Sequence, residues 1–397
     1  MTKASATDHR LLQEITLRNV LSFGPQTETL PMENLNVLIG PNGSGKSNLI
    51  ETIALMRAAP GDMAAVIRRG GGVEEWIWKG NKTGTATIDM VLRYPHGKQP
   101  IRHVIEFREN NQRFEFEDER IENKAPFGRE KETYFYYRFQ QGRPVMNMAG
   151  NKKRPLARET INPNLSILAQ RRDPELYPEV SYLAEVYEKI RLYREWALGR
   201  NTIFREPQKT DTRDDRLEED FSNLGIFLNQ LRQTADAKIA VLEALKDLYT
   251  GITDFDINIK GGSTVQVVLT EGGFTIPATR LSDGTLRYLC LLAILCAPTP
   301  PPLICIEEPE LGLHPDILPD LADLLVEASN RTQLIVTTHS DILIDALTEH
   351  PEFVVVCEKH NGQTEMKRLN QEDLTEWLDN YRLGQLWMTG QIGGTRW

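Results

Sequence analysis

The segment GPNGSGKSN at residues 40–48 constrains the fold more than any other part of the chain. It follows the apolar run LNVLI and precedes LIETIALM, which predicts a strand, a glycine-rich loop and a helix in that order. The spacing G-x-x-x-x-G-K-S is complete, and Lys46 and Ser47 are the residues that reach the β- and γ-phosphates and Mg²⁺ in such a loop. Backbone N–H groups and the positive end of the helix favour the phosphates. We therefore predict a nucleoside triphosphate site formed by Asn42, Gly43, Ser44, Gly45, Lys46, Ser47 and Asn48.

The composition limits the classes of protein to which the chain can belong. Its 397 residues suffice for two or three domains, and 40% hydrophobic with 26% charged residues is typical of a soluble globular protein. No long apolar run and no signal-peptide core occur, so we expect a cytoplasmic protein without a membrane partner. A net charge of −10 argues against a globally basic nucleic-acid binder, although a local basic patch remains open. Four cysteines lack metal-ligand spacing and are expected to be buried reduced thiols: Cys290, Cys296, Cys305 and Cys357.

Four continuous apolar runs predict strands buried on both faces, as in a parallel sheet covered by helices. They are LNVLI, PLICI, QLIVTT and FVVVCE. Alternating stretches with polar turns predict an antiparallel meander over residues 85–140. Residues 164–200 and 217–250 are expected to be helical, and residues 62–85 to form a loop-rich excursion. The expected fold is therefore an α/β phosphate-loop NTPase with a mostly parallel core sheet, an antiparallel β lobe and a helical insertion.

Three segments follow from this pattern. Residues 1–160 are expected to hold the N-terminal part of the ATPase domain, with the phosphate loop and the meander lobe. Residues 161–255 would form the helical insertion. Residues 256–397 would complete the ATPase domain with the remaining motifs and a C-terminal tail.

A strand that ends in two carboxylates supplies the second half of the predicted site. The run LICIEEPE contains Glu307 and Glu308 at its end, and in phosphate-loop ATPases the strand-end acid helps to hold Mg²⁺. We assign that role to Glu307 and expect Glu308 to polarise the attacking water. Neighbouring side chains on a strand point to opposite faces, but both can face the nucleotide where the backbone turns. His339 follows the run QLIVTT, where it suits a hydrogen bond to the γ-phosphate or the attacking water.

The segment LSDGT at residues 281–285 precedes a long apolar helix. Its serine and glycine could form an anion site at the start of that helix. They could equally serve as an N-cap and a turn. The residues alone leave both interpretations open.

The order of these motifs resembles the ABC-type ATPase family. GPNGSGKSN, LSDGT, ICIEEPELGLHP and TTHS follow one another as do that family's phosphate loop, signature, acid strand with D-loop, and histidine switch. The similarity is to the RecF-like and OLD-family branch, in which EEPE-x-x-LHP and TTHS are typical, and it covers nearly the whole chain. The tail LGQLWMTGQIGGTRW resembles the end of small stand-alone AAA-type ATPases of bacteria. The resemblance implies ATP hydrolysis, with ATP and Mg²⁺ as cofactors.

The resemblance also implies roles for particular residues. Lys46 and Ser47 would bind phosphate and Mg²⁺, Glu308 would be the catalytic base, and His339 would sense the γ-phosphate. Gln170, in LSILAQRRDP, falls where the family's Q-loop glutamine contacts the nucleotide and Mg²⁺.

A signature acts across a subunit boundary in this family, which implies a head-to-tail homodimer, or a higher oligomer, that encloses two nucleotides. Ser282 and Gly284 would contact the γ-phosphate held by the opposite subunit. LSDGT differs from the usual LSGGQ at Asp283 and Thr285. Bound ATP would hold the subunits together and hydrolysis would release them.

Several classes of ATPase can be separated on sequence grounds. The span between Lys46 and Ser282 shows no heptads, which excludes a long coiled-coil machine. Only residues 340–397 follow His339, and we expect no TOPRIM nuclease there. An ABC transporter motor shares the nucleotide site, but EEPELGLHP, the large meander and the absence of a membrane segment argue against it.

Two functional interpretations remain. Stand-alone ATPases of this kind often occur with small effector proteins, which favours the sensor or scaffold of a bacterial anti-phage defence system that controls a separate nuclease or toxin. The alternative is a DNA-repair or recombination ATPase of the RecF kind. Basic clusters at Lys152–Arg154 with Arg158, and at Arg171–Arg172, could contact a DNA backbone or lie in solvated loops. Residues 377–397 could close the core or form a docking tail.

Overall fold

The computed structural model describes residues 9–80, 84–140, 143–148, 152–155, 161–196, 199 and 202–394. The chain divides into two compact units, each assembled from separate stretches. Unit 1 contains residues 191–351 and 370–391, and unit 2 contains residues 10–190 and 352–369. Strands and helices are numbered along the whole chain.

Unit 2 contains the first part of the chain and one later hairpin. Its strands are β1 (Leu12–Arg18), β2 (Leu30–Pro31), β3 (Leu35–Ile39), β4 (Ala86–Leu92), β5 (Ile101–Asn110), β6 (Arg113–Asn123), β7 (Phe135–Gln140), β8 (Arg143–Met148), β9 (Lys152–Pro155), β17 (Val354–His360) and β18 (Gln363–Arg368). Its helices are α1 (Lys46–Arg57), α2 (Met63–Arg69), α3 (Val73–Trp76), α4 (Ile167–Gln170) and α5 (Pro178–Lys189).

Unit 1 contains the remaining elements. Its strands are β10 (Arg191–Tyr193), β11 (Gln208–Lys209), β12 (Ile252–Lys260), β13 (Thr264–Glu271), β14 (Phe274–Pro277), β15 (Leu303–Glu307) and β16 (Gln333–Thr337). Its helices are α6 (Leu224–Leu231), α7 (Ala235–Leu248), α8 (Asp283–Leu295), α9 (Leu318–Ser329), α10 (Asp341–Asp345), α11 (Gln371–Leu378) and α12 (Leu383–Met388).

The apolar runs form parallel strands in both units. In unit 2, β3 pairs in parallel with β17, and β18 joins β17 as an antiparallel neighbour. In unit 1, β15 lies between β10 and β16 and is parallel to both. Every residue of β3 and of β16 is buried, as continuous apolar strands require when both faces are covered. The predicted parallel core is confirmed.

The predicted antiparallel lobe is also confirmed, and it is larger than the sequence indicated. It is an eight-stranded sheet in unit 2 with the order β2-β1-β4-β5-β6-β7-β8-β9. The meander β4 to β7 pairs strand by strand, and β1 joins it antiparallel to β4. The polar turns between the predicted strands therefore mark true hairpins.

The stretch before the signature carries a smaller sheet with helices packed on it. Strands β11, β13 and β12 lie side by side, and β14 pairs with β13. Helices α6 and α7 pack against β12 and against α8. All residues from Leu286 to Leu295 of α8 are buried, so this helix is the apolar centre of unit 1.

Two sequence predictions of local structure are wrong. Residues 62–85 contain α2 and α3 where a loop-rich excursion was expected. Asp62 caps α2 by accepting a hydrogen bond from the Ala65 N–H at 3.0 Å, and Trp76 is fully buried. The helical stretch expected over residues 164–200 ends at Lys189, because residues 191–193 form β10 and pair in parallel with β15. Tertiary pairing outweighs helix propensity there.

All four cysteines are buried free thiols, as predicted. Burial raises the pKa of Cys296 and of Cys357 to about 12, so both stay protonated. Among the described residues, no helix is long and apolar enough to cross a membrane.

Candidate nucleotide site

The phosphate loop, residues 40–48, adopts a backbone that only glycine allows at its key positions. Gly40, Gly43 and Gly45 have φ values of 145°, 80° and 102°. A Cβ at Gly40 would lie 2.1 Å from the Cys357 carbonyl oxygen, and one at Gly45 would lie 2.2 Å from Thr364 Oγ1. All three glycines have positive φ angles, which favour glycine, and close neighbours leave no room for a side chain at Gly40 and Gly45.

Lys46 is the buried cation of this loop. The residue is 6% exposed. Its Nζ donates to the carbonyl oxygens of Gly40 at 2.6 Å and Pro41 at 3.1 Å. Helix α1 begins at Lys46, and its N-cap residue Gly45 provides no side-chain cap for the first-turn N–H groups. Ser47 is exposed. An uncapped helix start beside an ammonium group is suited to bind phosphate.

Two residues outside the motif hold the loop in place. The Thr364 hydroxyl lies 2.9 Å from the Ser44 carbonyl oxygen and 2.6 Å from Ser22 Oγ. Asn48 Nδ2 also donates to Ser22 Oγ at 2.7 Å. Asn48 of the motif thus shares its partner with Thr364 of β18, which no nucleotide-binding pattern in the sequence singles out.

The backbone turns at the end of β15, between the two predicted acids. Glu308 has a φ of 46°, in the left-handed region that costs a non-glycine residue about 1–2 kcal/mol. Its N–H donates to the Thr337 carbonyl oxygen at 3.0 Å. Glu307 continues the strand, and its carboxylate pairs with Arg194 at 3.2 Å. The two acids therefore have different surroundings despite their adjacency.

Glu308 and His339 lie close together just beyond the ends of β15 and β16. Glu308 Oε1 lies 3.7 Å from His339 Nε2, and the two side chains are 38% and 36% exposed. A carboxylate and an imidazole at this distance, open to solvent, can share a water molecule between them. This pair is a candidate centre for proton transfer in unit 1.

Glu310 fixes the loop that carries His339. Its Oε1 accepts from the His339 backbone N–H at 2.7 Å and from the Thr338 hydroxyl at 2.8 Å. Burial raises the pKa of Glu310, while these two hydrogen bonds oppose that shift. Glu310 was visible in the EEPE motif, but its role as a brace for the histidine loop was not predicted.

The signature loop, residues 281–285, caps α8. Ser282 Oγ accepts from the Thr285 N–H at 3.0 Å, which is an N-cap contact. Gly284 permits a close approach of the D-loop, because a Cβ there would lie 2.8 Å from the Gly312 carbonyl oxygen. The structure thus contains the predicted cap and turn, and it leaves the predicted phosphate contact of Ser282 and Gly284 as a prediction.

The aspartate of the signature loop, Asp283, forms an ion pair with Arg205. The buried Arg205 guanidinium pairs with the Asp283 carboxylate and donates to the Leu281 carbonyl oxygen at 2.7 Å. Its Nε also donates to the Gly199 carbonyl oxygen at 2.9 Å. The hydrogen bond from Arg205 to the Asp283 carboxylate, aided by the Gly199 N–H, lowers the pKa of Asp283. Asp283 therefore replaces the usual glycine with a charge that is neutralised inside the same unit.

Gln170 makes local contacts within unit 2. Its Nε2 donates to the carbonyl oxygens of Asn162 at 3.0 Å and Leu165 at 2.7 Å, and its Oε1 accepts from the Asn162 N–H at 2.7 Å. The amide closes the loop before α4. Its predicted contact with the nucleotide and Mg²⁺ remains a prediction.

The described residues contain no group of three or more His, Cys, Asp or Glu side chains that could hold a metal ion. This is compatible with a nucleotide-bound Mg²⁺, which takes few protein ligands and several phosphate or water oxygens. The exposed Ser47 hydroxyl suits that role directly. Sequence reasoning missed the residues that support these loops within each unit: Ser22 and Thr364 in unit 2, and Arg194, Trp196, Arg205 and Arg287 in unit 1.

Comparison with known proteins identifies the family. The pattern of the family described as "AAA domain, putative AbiEii toxin, Type IV TA system" matches residues 35–345. Chromosome partition protein Smc of Rhodopirellula baltica is 30% identical over 95 residues, and that of Mycobacterium tuberculosis is 29% identical over 97 residues. Each match covers 23% of this chain and 8% of the relative.

Solved structures show the same fold. A SmcHead bound to the C-winged helix domain of ScpA superposes with a TM-score of 0.57 at 16% identity, covering 92% of this chain and 99% of that one. A Pyrococcus furiosus Smc head bound to the C-terminal domain of ScpA gives 0.56 at 13% identity, covering 93% and 98%. The resemblance to ABC-type ATPases is confirmed, and the chain belongs to the AAA-domain family of AbiEii-like ATPases.

Proposed function

We propose that this chain binds ATP with Mg²⁺ and hydrolyses it to ADP and phosphate. The observation that carries the proposal is the Glu308–His339 pair, with its carboxylate and imidazole 3.7 Å apart at the ends of β15 and β16. The enclosed phosphate loop with its buried lysine supports the same conclusion from the other unit.

Each residue has a role in this proposal. Lys46 and the start of α1 bind the β- and γ-phosphates, and Ser47 ligates Mg²⁺. Glu308 accepts a proton from the attacking water, and His339 senses the γ-phosphate. Glu307, whose carboxylate is paired with Arg194, would help to hold Mg²⁺. Gln170 would contact the nucleotide and Mg²⁺.

We further propose that two copies form a head-to-tail homodimer around two nucleotides. Ser282 and Gly284 at the start of α8 would contact the γ-phosphate bound by the opposite subunit, where the helix end favours negative charge. Arg205 neutralises Asp283, so the charge in this signature does not repel phosphate. Binding would close the dimer and hydrolysis would open it.

The cellular role we propose is the sensor or scaffold of an anti-phage defence system in the cytoplasm, acting on a separate effector protein. The family description, which names a toxin–antitoxin system, supports this role. Similarity to chromosome partition proteins favours DNA repair or recombination as the second candidate. Against direct DNA contact at Arg172, its guanidinium already bonds the Pro60 carbonyl oxygen and pairs with Glu188 at 2.6 Å.

The hydrolysis and dimer proposals are tested together. We expect purified protein to hydrolyse ATP and Glu308→Gln to accumulate as an ATP-bound dimer in size-exclusion chromatography with light scattering. Mixing Lys46→Ala with Ser282→Arg should restore about one working site per dimer, since each variant retains what the other lacks. Absence of any rescue, with both variants folded, contradicts the shared site.

The cellular role is tested by purifying Glu308→Gln protein with ATP from its native host. Recovery of a nuclease-like or toxin-like protein whose activity depends on ATP supports the defence role. Recovery of DNA with recombination proteins supports the repair alternative. A membrane protein as the main partner contradicts both and favours a transporter motor.

A further inference from the structure

Arg287 is a buried arginine in the first turns of α8, and no predicted role of the site uses it. The residue is 1% exposed, and its guanidinium lies over the ring of Trp196 with Cζ 4.2 Å from the ring centroid. Its Nη2 donates to the Glu308 carbonyl oxygen at 2.5 Å. The side chain therefore runs from the signature helix to the backbone of the proposed catalytic base.

The buried guanidinium of Arg287 uses only part of its hydrogen-bonding capacity within the described residues. Nε and Nη1 of Arg287 have no hydrogen-bond partner among the described residues. Burial lowers the pKa of Arg287 to about 10. A buried cation with two unpaired donors contributes less to fold stability than a well-packed apolar side chain of similar size would. We therefore expect a functional reason for Arg287 at this position.

Trp196 binds the backbone of Glu307, the residue before Glu308, as Arg287 binds the backbone of Glu308. Its Nε1 donates to the Glu307 carbonyl oxygen at 2.8 Å, and its ring stacks with Phe221 at a centroid distance of 5.4 Å. Arg194, two residues earlier, pairs with the Glu307 carboxylate. Two consecutive carbonyl groups at the end of β15 are thus each bound by a side chain, and those two side chains stack on each other.

These contacts surround the strained turn. Glu308 has the left-handed φ of 46°, its N–H is bound by Thr337, and its carbonyl oxygen is bound by Arg287. A strained conformation persists only where its surroundings fix it from several sides. The direction of the Glu308 carboxylate follows from that backbone.

We propose that Arg287, stacked on Trp196, is a positioning residue that holds Glu308 in its catalytic orientation and ties that orientation to the signature helix. Arg287 follows the signature loop directly on α8, so a displacement of the helix start would move the donor that holds Glu308. Engagement of Ser282 would then set the geometry of the base in the same subunit. This inference rests on the proposed function of Glu308.

The test compares three variants with a matched control. Arg287→Met removes the donors and keeps the length, Arg287→Lys keeps a charged donor, and Trp196→Phe removes the Nε1–H group while keeping a ring. The control is Arg331→Met, because Arg331 Nη2 also donates to a backbone carbonyl of α8, that of Leu295 at 2.6 Å, at the opposite end of the helix. Melting temperatures check folding in every case.

We expect Arg287→Met to lower kcat by about 100-fold with KM for ATP nearly unchanged, which is the scale for a misplaced catalytic group. Arg287→Lys should recover about tenfold of that loss, Trp196→Phe should lower kcat by about tenfold, and Arg331→Met should have no effect. In a Glu308→Gln background, Arg287→Met should cause no further loss, because the two residues act as one unit. An equal loss in both backgrounds would overturn the proposal.

Hydrogen exchange provides a readout that does not depend on hydrolysis. Arg287→Met should accelerate amide exchange in a peptide covering residues 303–312 and leave residues 35–45 unchanged, whereas Arg331→Met should change neither. Unchanged exchange together with unchanged kcat refutes the positioning role. Faster exchange in a protein whose Glu308→Gln variant hydrolyses ATP at the full rate refutes the proposed function of Glu308 instead.

Discussion

The phosphate loop and the acid turn, residues 307–310, differ in where their supporting contacts come from. The phosphate loop is one stretch of nine residues that contains its own glycines and the start of α1, with hydroxyl contacts from Ser22 and Thr364 as its outside support. The acid turn depends on side chains from separate segments. Arg287 binds the Glu308 carbonyl oxygen, Trp196 binds the Glu307 carbonyl oxygen, and the Thr337 hydroxyl accepts from the Glu308 N–H.

This difference determines which single substitutions are expected to impair each region. A contiguous loop is expected to lose its function when one of its own residues is changed, because the groups proposed to bind phosphate all lie in that segment. An assembled site can lose its geometry through a residue that never contacts the substrate. The predictions below test this contrast by pairing each motif residue with a supporting residue or a control.

The largest effect on ATP affinity is expected for Lys46→Ala. The ammonium group is buried and donates to two loop carbonyls, and its loss removes a charge-assisted contact with phosphate. ATP affinity should fall by about 100-fold, measured by titration calorimetry. Lys189→Ala is the control, because Lys189 lies far along the chain from the phosphate loop and makes an exposed pair with Glu185. Near-normal affinity of the Lys46 variant would contradict the phosphate-loop assignment.

Glu308→Gln should separate binding from hydrolysis. The amide keeps the size of the side chain but cannot accept the proton of the attacking water, so kcat should fall by about 100-fold or more. ATP affinity should be retained, because the phosphate loop is unchanged. Turnover at the rate of the unaltered protein would show that another group is the base. Glu307→Gln in the same assay shows whether its neighbour, paired with Arg194, contributes.

The same difference determines which parts of the structure could be predicted from the sequence. The strands LNVLI and QLIVTT and the glycine loop follow from local pattern, and the structure contains them in the predicted places. The short strand β10 was predicted as helix, because only its pairing with β15 makes it a strand. Arg205 and Trp196 lie far in sequence from the residues that they hold, so no local period or spacing marks them.

A smaller effect is expected when the charge of the signature is removed. Asp283→Ala deletes the partner of Arg205, while the Arg205 bonds to the carbonyl oxygens of Leu281 and Gly199 remain. The loop should loosen without collapsing, and kcat should fall by about tenfold. Asp316→Ala, an exposed residue after the D-loop, is the control. An unchanged kcat would show that the Arg205–Asp283 pair is dispensable.

The smallest effect is expected at Thr364, which supports the phosphate loop from β18. Thr364→Val keeps the shape and removes the hydroxyl that contacts the Ser44 carbonyl oxygen and Ser22 Oγ. A buried neutral hydrogen bond contributes about 1 kcal/mol, so ATP affinity should fall by about fivefold. Thr364→Ser retains the hydroxyl and should bind ATP nearly normally. If Thr364→Val instead matched the loss of Lys46→Ala, the phosphate loop would depend on outside support as strongly as the acid turn does, and the contrast between the two regions would fail.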